Sequence, residues 1–209
     1  MAKLYFNYGV MGSSKTANAL ITRFNYETLG QNAILLKPGI DNRSLSGEEI
    51  DAMHTVESRV GISSPCMTVG EFKKLSKNEM TKFDCIIVDE AQFLTESDVD
   101  WLSDIVDNLN IPVVCYGLKA DFSSKLFPGS KRLLEIADSI REIKTVCWCG
   151  AKATYNARFD VTGKVIKQGE QVVIGANDKY IGLCRKHWKA GQIGKAKLKE
   201  LGITNDRDS

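Results

Sequence analysis

Three groups of residues have the types and spacings that chemistry needs. The first is Gly9-Val10-Met11-Gly12-Ser13-Ser14-Lys15-Thr16, set between the apolar run Leu4 to Tyr8 and a helix-like stretch from Ala17. Strand, glycine-bearing loop, Lys-Thr and helix is the order of a phosphate-binding loop. Backbone N–H groups of the loop and of the helix start face the phosphates. Lys15 reaches the β and γ oxygens of a nucleotide, and Thr16 offers its hydroxyl to Mg²⁺. One residue departs from the pattern. Ser14 stands where a glycine is expected, so the tight turn there requires a compatible φ/ψ or some strain.

Asp89 and Glu90 form the second group, at the end of the apolar run Cys85 to Val88. An acid at a strand end is placed to meet a metal held by Thr16. The carboxylate beside it can accept a proton from a hydroxyl or water attacking a γ-phosphate. Asp-Glu-Ala also occurs in helicase-type ATPases, so these residues leave a kinase and an ATPase both open. The third group is Cys147-x-Cys149 with Cys184-x-x-His187. Three thiolates and an imidazole match a closed, structural zinc site. The first pair is tighter than the usual two-residue gap. Both pairs bracket a stretch too small to fold well unaided, where a metal staple is most useful. Cys66, Cys85 and Cys115 lie in apolar surroundings and read as core. His54, in a polar loop, reads as solvated.

These groups need elements to hold them. Helix is expected from Ala17 to Leu29, with Gly30 as its stop. Strands are expected at Ala33–Leu36, Met67–Val69, Cys85–Val88 and Ile111–Tyr116, the last ending at Gly117. A final strand begins at Thr145-Val146. Short helix is expected from Glu71 to Leu75. Thr95 with Asp98 caps a helix carrying Val99, Leu102, Ile105, Val106 and Leu109, and Ser130 to Ile140 reads as helix. Residues 44–64 read as a flexible excursion. Strand–helix alternation implies a mostly parallel α/β sheet. After Cys147 the chain reads as two extended arms, 153–160 and 164–174, broken further on by Gly169, Gly175 and Gly182. The expected division is an α/β nucleotide-binding domain over 1–146, a zinc-stabilised lobe over 147–189 and a loosely held tail over 190–209.

The 209 residues suffice for one good core and an appendage; 43% are apolar and 26% charged, as in an ordinary globular protein. A formal net charge of +2 gives no electrostatic case for nucleic acid or an acidic membrane as main partner. No apolar run approaches the roughly 18 residues of a membrane span, and no secretory signal opens the chain. The cytoplasm is the expected location.

Met11 within the loop, Asp41-x-Arg43 after the second strand, Asp89-Glu90-Ala91-Gln92-Phe93 and the two cysteine pairs together resemble the type II thymidine kinase family. The likeness covers about residues 3 to 189. The C-x-C and C-x-x-H spacings are similar to those of its enterobacterial and related phage members. Asp121 to Phe127 resembles the family segment whose first Phe packs on thymine. Gln171-Val172-Val173-Ile174-Gly175, followed by Asp178-Lys179-Tyr180, resembles the family's nucleoside-holding lasso.

The resemblance implies a P-loop (RecA-like) α/β fold, a parallel sheet flanked by helices with a small C-terminal zinc-bearing lobe. It implies ATP-dependent phosphorylation of thymidine, and of deoxyuridine, at the 5′-hydroxyl, with Glu90 as base. Gly9 to Thr16 (Gly9, Val10, Met11, Gly12, Ser13, Ser14, Lys15, Thr16) would bind ATP with Asp41, Asn42, Arg43, Asp89, Glu90, Ala91 and Gln92. Thr16 and Asp89 would hold Mg²⁺, and Cys147, Cys149, Cys184 and His187 Zn²⁺. Met11, Phe93, Phe122 and Tyr180 would contact the nucleoside, while main-chain groups of Gln171, Val172, Val173, Ile174 and Gly175 read the pyrimidine edge. A homotetramer is implied, with no nucleic-acid or membrane partner. The competing reading is a P-loop ATPase or zinc-bearing nucleic-acid module; the near-zero net charge and the shortage of basic-aromatic patches weigh against it.

Overall fold

The structure, a computed structural model, describes residues 1–39, 54–169, 171 and 179–203. Their contacts group into two compact units. One comprises Met1–Tyr8, Ser14–Leu118 and Phe127–Glu142; the other comprises Gly9–Ser13, Lys119–Leu126 and Ile143–Ser209.

In the first unit the chain runs β1 (Leu4–Gly9), α1 (Lys15–Thr28), β2 (Ala33–Lys37), β3 (Thr55–Glu57), β4 (Ser63–Pro65), β5 (Met67–Thr68), α2 (Val69–Phe72) and α3 (Lys77–Met80). It continues through β6 (Cys85–Val88), a 3₁₀ turn at Ala91–Phe93, α4 (Glu96–Leu109), β7 (Val113–Leu118), α5 (Pro128–Ile136) and β8 (Ser139–Glu142). Six strands make a parallel sheet in the order β5-β2-β6-β7-β1-β8, flanked by helices. All four residues of β6 are buried, which is why this strand reads as an unbroken apolar run. α1 packs on β2, β6 and β7, and α4 on β7. Phe6, Leu36, Phe72, Ile86, Val99, Leu102 and Leu133 are central to one continuous core. Because the strands are parallel, the ends of β1, β6 and β7 lie at one edge, where ligands bind in such sheets.

Several local expectations need correction. Residues 54–65 do not wander: β3 and β4 pair as an antiparallel hairpin, closed by Ser58 N–H to the Ile62 carbonyl at 2.8 Å. Residues 40–53, the rest of the excursion, lie outside the described residues. The short helix begins at Val69, not Glu71, because Thr68 and Glu71 form a capping box; Ser76 and Glu79 form another that starts α3, a helix not foreseen. The last helix stops at Ile136. Asp138 Oδ2 accepts the Leu4 N–H at 2.7 Å, drawing the next residues into parallel register with β1. The final strand is therefore Ser139–Glu142, not one from Thr145. Both β8 and the hairpin are short and exposed, so neither carries the apolar alternation that marks a strand. β7 also runs through Gly117 instead of ending there. A Cβ on that residue would stand 2.8 Å from Gln92 Oε1 and 3.0 Å from Gln92 N.

The second unit holds an antiparallel sheet of β9 (Tyr155–Phe159), β10 (Val165–Ile166) and β11 (Lys179–Leu183), in the order β10-β9-β11. Two short helices follow, α6 (Arg185–Ala190) and α7 (Lys195–Glu200). Cys147, Ala153, Ala157 and Leu183 form its small core, with Val10 and Trp188 packed against it. Gly182 does not break the chain. It lies inside β11, where a Cβ would be 2.8 Å from Val10 Cγ2 and 2.9 Å from the Met11 carbonyl.

Candidate active site

α1 opens at Lys15, and a helix start is where backbone N–H groups can face a phosphate. The residue before it, Ser14, has φ 58° and ψ 29°, the left-handed conformation that favours the missing glycine. Its side chain makes no cap hydrogen bond, while its carbonyl accepts from the Asn18 N–H at 3.0 Å. Lys15 is buried, and burial pushes its ammonium pKa down. The charges of Glu90 and Asp89 oppose that shift, and the charge of Arg59 adds to it.

Asp89 leaves the end of β6 with its backbone N–H on the Leu36 carbonyl at 2.9 Å. Its carboxyl is pushed up to about 6, first by burial and next by Glu90. A hydrogen bond from Thr16, the Glu90 backbone N–H and the charge of Lys15 pull the other way. A hydroxyl and a buried carboxylate in mutual contact are a hard oxygen pair, the donor set Mg²⁺ takes. Glu90 then turns out of the strand with φ 53° and is exposed. Gln92 is buried and fixes this turn from both ends of its amide. Its Nε2 donates to Glu90 Oε2, and its Oε1 accepts the Leu118 N–H at 2.9 Å. Lys15, Thr16, Asp89, Glu90 and Gln92 are thus brought together as one set. Phe93 is exposed, with its ring edge-on to Phe127 at 5.7 Å.

In the second unit Val10 and Met11 rest against the small sheet, and Ser13 N–H donates to the Val10 carbonyl at 3.2 Å. Phe122 is almost wholly buried, with the Arg158 guanidinium 5.1 Å above its ring. Asp121 Oδ1 accepts from the Ser123 and Lys125 N–H groups at 2.8 and 2.9 Å, shaping the turn that carries Phe122. Its Oδ2 accepts from Gln171 Nε2 at 3.0 Å. Tyr180, on β11, pairs in register with Arg158. Asp41, Asn42, Arg43, Val172, Val173, Ile174 and Gly175 lie outside the described residues.

Cys147, Cys149, Cys184 and His187 gather with all ligand atoms within 4.8 Å of one another. The sulfurs of Cys149 and Cys184 are 4.0 Å apart; His187 Nδ1 is 3.4 Å from both Cys147 Sγ and Cys184 Sγ. A tetrahedron with bonds of about 2.3 Å to sulfur and about 2.0 Å to nitrogen has edges close to these. The cluster fits a structural zinc, through Nδ1 of the histidine. Cys184 caps α6, and the His187 N–H lowers its thiol pKa, whereas burial raises that of Cys147. Trp148 stacks on the imidazole at 4.1 Å and fixes the ring plane.

Arg59, whose charge acts on Lys15, and Asn156, whose Oδ1 accepts the Met11 N–H at 2.8 Å, carry no sequence signal. Arg59 sits in a polar hairpin turn, and Asn156 in a strand among residues that form no motif.

The thymidine kinase family model matches residues 2–188. The thymidine kinases of Agrobacterium fabrum and Zymomonas mobilis are each 45% identical over 193 residues, covering 90% of this chain and 96% of theirs. That of Escherichia coli O157:H7 is 42% identical over 200 residues, covering 93% of this chain and 94% of its own. Among solved structures, Pif1 helicases of Bacteroides (bound to ssDNA) and Candida albicans are both 14% identical. Their TM-scores are 0.34 and 0.37, over 68% and 69% of this chain and 38% and 36% of theirs, too slight a likeness to carry an argument.

Proposed function

The chain belongs to the thymidine kinase family, and from that premise we propose that it transfers the γ-phosphoryl group of ATP to the 5′-hydroxyl of thymidine and of deoxyuridine. The product is a nucleoside monophosphate for DNA precursor synthesis by salvage. The observation that carries this reading is the joining of buried Lys15, the Thr16–Asp89 pair and exposed Glu90 in one set. A phosphoryl donor and a hydroxyl acceptor need those three things: a cation for the phosphates, oxygen ligands for a metal, and a base.

Residues 9–16 hold the ATP phosphates in this proposal, with Asp41, Asn42, Arg43, Ala91 and Gln92 completing the donor side. Thr16 and Asp89 would hold Mg²⁺, which would shield the phosphate oxygens. Phosphoryl transfer passes through a loose transition state, so most of the work is positioning and charge neutralisation. Lys15 supplies positive charge to the oxygens of the moving group. Gln92 holds Glu90 at Oε2, and the Glu90 carboxylate orients the 5′-hydroxyl and takes its proton as the new O–P bond forms. Phe122, Phe93, Met11, Tyr180 and main-chain groups of residues 171–175 hold the nucleoside and exclude water. Zn²⁺ at Cys147, Cys149, Cys184 and His187 is structural, since all four positions are protein ligands. We further propose a cytoplasmic homotetramer, and a division of the chain at residues 146 and 189. Among the described residues no helix is long and apolar enough to cross a membrane.

Glu90→Gln tests the reading. Gln keeps the shape and removes the base, so kcat falls at least about a hundredfold while ATP binding holds. A kcat near that of the unaltered enzyme removes Glu90 from the chemistry.

A further inference from the structure

Asn156 lies within β9 with 5% of its surface exposed, and both ends of its amide are used inside the second unit. Its Oδ1 accepts the Met11 backbone N–H at 2.8 Å, and its Nδ2 donates to the Ala120 carbonyl at 2.6 Å. A backbone N–H can only donate and a carbonyl only accept, so the two partners settle which end of the amide is which. Met11 belongs to the phosphate-binding loop. Ala120 opens the segment of Asp121 and Phe122; it bridges to Leu126, so fixing it fixes both ends of that turn. We propose that Asn156 is a positioning residue that joins the nucleotide-side loop to the nucleoside-side segment, holding the first by its amide oxygen and the second by its amide nitrogen.

The neighbourhood fits that role. β11 pairs with β9 so that Gly182 stands opposite Asn156, and the missing side chain at Gly182 lets the strand press on Val10 and the Met11 carbonyl. The Met11 peptide is thereby gripped on its N–H by Asn156 and on its carbonyl side by β11. At the other end of the amide, the Trp188 indole N–H holds the Phe122 carbonyl at 3.1 Å, two residues past Ala120. A primary amide is suited to the position because it offers an acceptor and a donor on opposite sides of one rigid plane. Leucine could fill the volume, but it would leave the Met11 N–H and the Ala120 carbonyl without partners. Aspartate would keep the acceptor for Met11 and set a second oxygen against the Ala120 carbonyl.

The proposal rests on the thymidine kinase reading for what the two segments bind, and the test separates the two. Asn156→Asp and Asn156→Leu are made in the full chain. Amide hydrogen exchange is followed by mass spectrometry in peptides covering Met11 and covering Ala120 to Leu126, below the melting temperature of each variant. The Asp variant should lose protection in the second peptide only, the Leu variant in both. In steady-state assays the Asp variant should raise the KM for thymidine about tenfold and leave that for ATP within about twofold; the Leu variant should raise both. In the Asp variant, equal loosening of the two peptides, no loosening in either, or KM values for thymidine and ATP that move together would overturn the tie. If the unaltered protein fails to phosphorylate thymidine, the functional reading falls. The exchange pattern then still decides whether Asn156 joins the two segments.

Discussion

Ser14 is a single residue held against its own preference. In the left-handed region its Cβ crowds the following carbonyl, at a cost of about 1–2 kcal/mol. It is exposed and its hydroxyl caps nothing, while the hydrogen bonds to its carbonyl from Asn18 are ones a glycine would keep. Ser14→Gly should therefore stabilise the protein by about 0.5–1 kcal/mol after the glycine's greater freedom when unfolded is subtracted. That corresponds to a rise in Tm of about 1–4 °C in a thermal melt; a fall would mean that the serine makes an interaction the strain argument omits. Asp89 leads to a pH dependence. Its pKa is raised to about 6, so the carboxylate needed for a metal is present above that pH and is lost as pH falls through it. The KM for ATP should be flat from about pH 8 to 7 and rise by about tenfold per unit below 6. Glu90 raises this pKa, so Glu90→Gln should move the midpoint down. A profile flat to pH 5 would place Asp89 outside the nucleotide site. Both residues were legible in the sequence, the acid by its place after an apolar strand and the serine by the glycine it replaces. Arg59 and Asn156 were not legible, because an arginine in a turn or an asparagine in a strand has significance only through neighbours far away in sequence.

At the scale of elements, the strands that hold the chemistry were the easiest to foresee. β6 is buried at every residue and β2 at Ala33, Leu35 and Leu36, so both read as apolar runs, and α4 announces itself by Thr95, Asp98 and its apolar stripe. What failed were elements with little to bury, namely the hairpin, α3 and β8. Glycines also misled. Gly117 and Gly182 looked like punctuation, yet each sits inside a strand because another part of the chain passes too close for a side chain. The buried core of the second unit, Cys147, Ala153, Ala157 and Leu183, has few large side chains, so a zinc at the proposed site should add much of its stability. One Zn²⁺ per chain should be found in the purified protein. Removing it with a strong chelator should strip hydrogen-exchange protection from β9 and β11 while leaving β2 and β6 protected. Zinc content unchanged in a Cys149→Ser/Cys184→Ser double variant would show that the metal, if any, sits elsewhere.

For the molecule as a whole, alternating strands and helices were enough to give the α/β class, and the phosphate loop gave its nucleotide. Loop, lysine and paired acids serve kinases and ATPases alike, because both need the γ-phosphate held and charge neutralised. They differ in the acceptor: a nucleoside hydroxyl in one case, water in the other. Family membership identifies the acceptor as thymidine, so the fate of the γ-phosphoryl group is the direct test. ATP labelled in that group should be incubated with the purified protein, Mg²⁺ and thymidine, with parallel reactions lacking thymidine or containing single-stranded DNA instead. The account predicts that the label appears in thymidine 5′-monophosphate, one for each ADP formed, and that little ADP forms in the other two reactions. Label released as inorganic phosphate, at a rate indifferent to thymidine or raised by DNA, would contradict it.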